Sequence, residues 1–339
     1  MKVLKSDTQR YPRIFGPTVE KTSYPTFGVV VHSGATGTNI GDHIQGLASI
    51  NIYKKVVEKL ANVSYDFEHF LEMVIQDSVP NFNFVILERD ALNNMQQYKG
   101  YSNVLTILNG YFLAPLEQLT IDWPPPPRIL NPLVISFHMN NTSLLESTRL
   151  GFLKRHQPIG CRDTETVKKL QAAGVDAYFS GCLTLTMDFL RWNPSQNAVS
   201  YNIQGKVFNS NLSSFTFALF QVPEFDNTHY VNLSHQYRQN YLNKMASLRL
   251  AYYHLQLYSR AKSIITDRLH CFLPALALGV PAKMVTSAGS SFSHFSQWTD
   301  PRFTGLIELA HQPERLAQLK AKLQKTTIDW LISRIARYY

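Results

Sequence analysis

Residues 159–179 read IGCRDTETVKKLQAAGVDAYF, and residues 265–284 read ITDRLHCFLPALALGVPAKM. Each run is an apolar stretch, an Arg at a turn, a helical pattern, a Gly and a second apolar stretch. Arg162 precedes Gly174 by 12 positions, and Arg268 precedes Gly279 by 11. Asp163, and Thr266 or Asp267, suit a helix N-cap, because their side-chain oxygens can accept the first free N–H groups. Gly174 and Gly279 suit the left-handed position just past a helix. Both runs therefore predict strand, helix, strand, with an Arg where the strand ends and the helix begins. In open parallel sheets that edge is where ligands bind.

The pattern continues outward from this echo. Residues 27–32 (FGVVVH) form an unbroken apolar run, as expected of a strand buried on both faces. A helix is predicted over 42–60. Further strands are predicted at 84–87, 104–108, 133–137, 158–161 and 177–180, which alternate with helical patterns. This argues a parallel, doubly wound sheet. The alternation restarts with strands at 199–203, 215–222 and 230–233, a long helix at 235–261, and strands at 263–266 and 282–286. The fold class is therefore α/β, with two Rossmann-like domains facing a cleft. We place the first at 1–185 and the second at 186–339, with 183–194 crossing between them. The four prolines at 124–127 read as a rigid exposed connector.

The 339 residues are 45% hydrophobic and 17% charged, which excludes a disordered chain. No run reaches the roughly 18 to 20 apolar residues of a membrane span, and the first ten residues lack the apolar core of a secretory signal. Cys161, Cys182 and Cys271 are sparse and odd in number, so neither a disulfide framework nor a metal-binding CxxC is predicted. The reading is a reduced, cytoplasmic protein. Thirty-three Lys and Arg against 24 Asp and Glu give a net charge of +9. That excess suits anionic partners, but no basic tract with interleaved aromatics suggests nucleic acid.

Each Arg at a helix N-terminus adds a planar fork to free N–H groups, so Arg162 and Arg268 on facing walls would clamp a compact polyanion. His270, two residues after Arg268, can bind a phosphate or move a proton. The turn after 27–32 holds Gly34, Gly37, Asn39, Gly41 and Asp42; it is neither GxGxxG nor a P-loop. Asp42 is a helix cap or a catalytic carboxylate. His138 ends the 133–137 strand, and Asn109 with Gly110 follows the 104–108 strand, both at the ligand edge. No metal motif is present.

Three segments together resemble the polysaccharide pyruvyl transferase family. They are 39–42 (NIGD), 158–163 (PIGCRD) running on to 181–184 (GCLT), and 261–270 (AKSIITDRLH) running on to 277–281 (ALGVP). The resemblance spans roughly residues 28–287 and implies a metal-free GT-B-like enzyme without a cofactor. Such an enzyme moves the enolpyruvyl unit of phosphoenolpyruvate, as co-substrate, onto a sugar of a surface polysaccharide or its lipid-linked precursor, forming a ketal. It implies phosphoenolpyruvate binding by Arg162, Arg268, Leu269 and His270, and an acceptor-side role for His138, beside Asn39 and Asn109. Catalytic roles fall to His270, His138 and Asp42. The alternatives are a GT-B glycosyltransferase using a nucleotide sugar and a non-catalytic anion- or sugar-binding relative. Residues 314–339 carry an apolar stripe broken near Thr326 and Thr327, flanked by cations. They form either a helix closing the two domains or a contact with anionic lipid at the inner face of the membrane.

Overall fold

A computed structural model of the chain describes residues 23–31, 38–111, 129–139, 145, 147–193, 216–221, 228–232, 236–237, 243–261, 263–266, 268–284 and 305–339. The elements run β1 (Thr26–Val31), β2 (Thr38–Asn39), α1 (Ile40–Ala61), α2 (Phe67–Ile75), β3 (Asn83–Glu88), β4 (Val104–Tyr111), β5 (Leu130–His138), α3 (Ser147–Arg155), β6 (Ile159–Cys161), α4 (Thr164–Ala172) and β7 (Ala177–Phe179). Then come β8 (Thr216–Gln221), β9 (Thr228–Asn232), β10 (Gln236–Tyr237), α5 (Lys244–Arg260), β11 (Ser263–Thr266), α6 (Leu269–Leu278), β12 (Ala282–Met284) and α7 (Pro313–Tyr338).

The first sheet has the order β3-β1-β4-β5-β6-β7 and every described pair is parallel, as the alternation predicts. Both faces are covered, because successive strand side chains point to opposite sides. Phe27, Val29, Val31, Leu105 and Ile107 join the core beneath α1 and α2. Val30, Val104, Leu108 and Val134 join a second core with Phe152, Leu153 and Leu170 of α3 and α4. Tyr53 of α1 ties the first face together. Its ring stacks on Phe27 at 4.6 Å between centroids. Its hydroxyl donates to Gly28 O at 2.8 Å and accepts from Ile107 N–H at 3.0 Å.

The second sheet, β12-β11-β8-β9, departs from the expected all-parallel half. Only β11 and β12 are parallel; β8 runs antiparallel to both β11 and β9. The parallel pair is joined through α6, so this part keeps the predicted strand–helix–strand unit. The echo is visible in the helix ends. Gly174 and Gly279 have φ of 72° and 82°. Val175 N–H returns to Leu170 O, and Val280 N–H to Ala275 O, at 3.0 and 2.9 Å.

Other boundaries differ for local reasons. The predicted helix over 235–261 begins only at Lys244, because Asn243 caps it by accepting from Ala246 N–H at 2.8 Å. Residues 236–237 instead pair antiparallel with β2, beside the N-terminus of α1. Strand β5 starts three residues earlier than predicted and contains Pro132, a residue that reads as a strand breaker. Strand β4 runs on through Asn109 and Gly110 to Tyr111. The predicted strand at 199–203 and the prolines at 124–127 lie outside the described residues.

Helix α7 is continuous where a break near Thr327 was expected. The Thr327 hydroxyl is buried and donates to Leu323 O at 2.8 Å, so the helix keeps its course. Leu323 and Leu331 are buried with it. Lys320 Nζ reaches Ala277 O of α6, and Tyr339 OH reaches Asn103 O ahead of β4, each at 3.1 Å. No described helix is long and apolar enough to cross a membrane. Fully burying one Leu contributes roughly 1.5–3 kcal/mol, against a whole-protein stability of about 5–15 kcal/mol. Truncation after Pro313 is therefore expected to abolish the cooperative melting transition followed by circular dichroism. A truncated chain that melts like the full one would make α7 an appendage.

Candidate active site

The carboxyl edge of the first sheet gathers most of the residues singled out above. His138 is the last residue of β5, Arg162 directly follows β6, Asn109 lies near the end of β4, and α1 begins beyond β1. Strand order reverses between β1 and β4, the topological switch point at which open α/β sheets bind ligands. The second sheet contributes the N-terminus of α6, with Arg268 as its N-cap residue.

His138 is aimed by a defect in its strand. Leu108 pairs with Val134, but Gly110 pairs with Phe137, so β5 carries one residue more than β4. Ser136 absorbs the excess at φ 56°, rare for a residue with a side chain. Before the bulge, odd residues such as Ile135 face the α1 core; after it, Phe137 faces the opposite core. His138, next along the strand, meets Asp163 and Thr166 at the start of α4. Its Nδ1 lies 2.6 Å from Asp163 Oδ2, and both residues are buried. Asp163 also caps α4, accepting from Thr166 N–H at 2.8 Å and from the Thr166 hydroxyl at 3.1 Å. Burial works to raise the Asp163 pKa, yet the His138 hydrogen bond, the charges of His138 and Arg162, and Thr166 N–H hold it below the usual carboxylate value. Ionised Asp163 accepts only, so His138 Nδ1 carries the proton between them.

His270 lies in the first turn of α6, with backbone angles (φ −85°, ψ 20°) outside the helical norm. Its Nε2 is buried and has no hydrogen-bond partner among the described residues. Desolvation first, then the charges of Arg162 and His138, push its pKa down to about 3, against the pull of Asp42. The Arg162 charge, just past β6, thus acts on His270, in the helix that follows β11. Arg162 is buried, with its N–H donating to Phe137 O at 2.8 Å. Arg268 is half-buried, with its N–H donating to Thr266 Oγ1 at 3.0 Å. Asp42 and His270 share Gln45 Nε2 as a neighbour, at 3.3 and 3.4 Å, and the Arg162 charge acts on His270, which follows Arg268 by two residues.

Other predicted residues have structural employment. Asn39, not Asp42, caps α1, accepting from Gly41 N–H at 3.0 Å. Asp42 accepts instead from Gln45 Nε2 at 3.3 Å and lies 3.5 Å from Arg89 Nη1. Asn109 bridges Ser49 Oγ at 3.2 Å and Gln45 O at 3.1 Å, which engages both ends of its amide. The Leu269 side chain packs with Cys182, Leu185 and Phe272. Only the backbone of Leu269, in the first turn of α6, is placed to meet a ligand. Cys161, Cys182 and Cys271 are buried. Among the described residues no His, Cys, Asp and Glu cluster suits a metal ion.

Sequence reasoning missed Asp163 as the partner of His138, and missed Gln45 altogether. Asp163 read only as a helix cap, because a contact between neighbouring strand ends leaves no local spacing. Gln45 did leave a signal. Asp42, Gln45 and Ser49 recur at three and four, a polar stripe on a helix whose other residues are largely apolar and buried.

A family model described as polysaccharide pyruvyl transferase matches residues 39–287, about three quarters of the chain. No curated protein and no solved structure matches. The chain belongs to the polysaccharide pyruvyl transferase family and is a transferase.

The depressed His270 pKa has a consequence for stability. An imidazole in the unfolded chain titrates near 6.5, so below that value the unfolded state binds the proton that folded His270 refuses until about pH 3. Stability contributed by neutral His270 is complete above about pH 6.5 and is lost as pH falls. His254, pushed down to about 4 by burial, acts in the same sense. The melting temperature is expected to drop between about pH 6.5 and pH 4.5, and to drop less in His270→Gln, as read by differential scanning fluorimetry. Equal drops would place the titrating group elsewhere.

Proposed function

We propose that this family member transfers the pyruvyl group of phosphoenolpyruvate to a sugar of a surface polysaccharide or its lipid-linked precursor, forming a ketal and releasing phosphate. The observation that carries this reading is the buried Nε2 of His270 at the start of α6, two residues after Arg268 and under the charge of Arg162, together with the His138–Asp163 pair. Phosphoenolpyruvate presents a carboxylate and a phosphate a few ångströms apart. Two guanidinium forks and the backbone at the start of α6 suit those groups, and neutral His270 offers an N–H to an anionic oxygen.

In this reading His138 Nε2 takes the proton of the attacking sugar hydroxyl while Asp163 holds the ring. The hydroxyl oxygen bonds to the carbon bearing the phosphate, and the methylene carbon gains a proton and becomes methyl. Phosphate then leaves with its electron pair, and a second hydroxyl closes the ketal. The two hydroxyls lose two protons, one balanced by the new methyl and one by the departing phosphate. Fixed cations stabilise the charge that develops as phosphate departs.

We read the two sheets as a GT-B-like pair facing this cleft, with the boundary at residue 185, six residues past the end of β7. The sparse, odd-numbered cysteines, all three buried, support a cytoplasmic setting. We read α7 as the brace between the units. Contact of its exposed cations with anionic lipid would show as salt-sensitive sedimentation with vesicles.

Arg268→Ala is expected to abolish phosphoenolpyruvate binding in calorimetry with the fold intact, since a charge-assisted bidentate contact contributes on the order of 2–3 kcal/mol. Arg268→Lys should remain inferior, because a point charge cannot match the fork. Binding of a nucleotide sugar, with none of phosphoenolpyruvate, would favour a glycosyltransferase instead. For His138, Asp163→Asn should lower phosphate release by orders of magnitude while phosphoenolpyruvate affinity changes little. An unchanged turnover number would remove the pair from the chemistry.

A further inference from the structure

Gln45 is buried, 5% exposed, in the second turn of α1. Its amide nitrogen lies between two groups, 3.3 Å from Asp42 Oδ1 and 3.4 Å from His270 Nδ1. Asp42, held 3.5 Å from Arg89 Nη1, presents an ionised carboxylate, which accepts only. An amide nitrogen donates only, so the His270 Nδ1 facing it must accept. A neutral imidazole that accepts at Nδ1 carries its proton at Nε2.

The other end of the Gln45 amide fixes its direction. Oε1 lies 2.1 Å from where a Cβ on Gly110 would stand, and Gly110 has φ 109°. A glycine here is needed for both reasons, and Oε1 has no hydrogen-bond partner among the described residues. Turning the amide over would set Oε1 against the Asp42 carboxylate. Gly41 gives the same service to the ring: a Cβ there would stand 3.1 Å from His270 Cβ and 3.2 Å from its Nδ1.

We infer that Gln45 is a positioning residue that locks His270 as the neutral tautomer protonated at Nε2. An imidazolium would turn an N–H at Nδ1 against the Gln45 NH2, so the chain Arg89–Asp42–Gln45 also opposes charging of the ring. The groups facing the ring agree: Arg162 and His138 oppose its proton, and Asp42 alone among the named charges favours it. Resting on the reading given above, His270 then serves the bound anion as a hydrogen-bond donor, and proton exchange falls to His138. Asp42 acts through Gln45 and touches no reacting atom.

The test uses the full chain with its histidines labelled with 15N, the His270 signals being those lost in His270→Gln. The wild type is expected to show a protonated Nε2 and a lone-pair Nδ1 near neutral pH. Gln45→Glu supplies an acceptor in place of the donor and should move the proton to Nδ1 or charge the ring. Gln45→Met, which fills similar space without an N–H, should give mixed tautomers and weaken phosphoenolpyruvate binding about 10- to 100-fold, the cost typical of removing a partner that orients a histidine. A wild-type Nδ1–H tautomer, or a pattern that neither Gln45 variant alters, overturns the inference. The tautomer is read on the empty protein. If it follows Gln45 but the wild type binds no phosphoenolpyruvate, the proposed reaction fails and the positioning role stands.

Discussion

The structure depends on the burial of α1 from every side. A surface helix buries one stripe, yet residues on all faces of α1 are shielded over its first four turns, from Ile40 through Tyr53. Strands β1 and β4 cover one side, and α5, α6 and α7 cover others. One hydrophobic core therefore runs from Phe27 and Val29 through Leu47 and Ile50 to Leu248, Leu255 and Ala275. Burial of that extent fixes the rotation and axial position of α1 against both units, since packed interiors leave little room for sliding. The N-terminus of α1 is thus delivered to the switch point of the first sheet and to the start of α6 at once.

That constraint explains why polar groups can be afforded inside such a helix. His43, Gln45, Ser49 and Asn51 are all buried on α1. Buried polar groups without partners cost free energy, and Ser49, Asn51 and the Gln45 amide nitrogen are matched at defined places. Ser49 meets Asn109, and Asn51 donates to Thr186 O at 3.1 Å in the segment that leaves the first sheet. Gln45 meets Asp42 and His270. A loosely held helix could not keep hydrogen bonds to two different units.

The fold was legible in the sequence wherever the signal was local. The apolar runs, the echo around Arg162 and Arg268, and the two C-terminal glycines each predict an element from neighbouring residues, and the parallel sheet follows from their alternation. What was not legible depends on pairing at a distance. The antiparallel β8 and β9 read as strands, but nothing in a strand states its direction. The helix over 235–261 was drawn too long because apolar spacing ran on past Asn243, while the cap of α5 set the true start. In the candidate site, the positions of Arg162, Arg268, His138 and His270 were legible because strand ends and helix starts carry them. Asn39 and Asn109 lie at such ends too, and what the sequence did not show is that their side chains take hydrogen bonds from Gly41 and Ser49 and give one to Gln45. Ser136 gave no warning: the bulge that turns His138 exists only relative to the register of β4.

The two histidines show how environment divides labour between identical side chains. His138 ends a strand of the first sheet and His270 follows a strand of the second, and both have Nδ1 facing a protein group. Asp163 accepts, so His138 keeps its proton at Nδ1. Gln45 donates, so His270 has its lone pair at Nδ1 and its proton at Nε2. An acceptor behind one ring favours imidazolium formation; a donor behind the other opposes it. Arg162 reinforces the difference, since its charge disfavours a proton on His270 while it helps keep Asp163 ionised. One buried guanidinium thereby acts at two places. A dianion seated beside Arg162 would weaken that positive field and relax the penalty on a proton at His270.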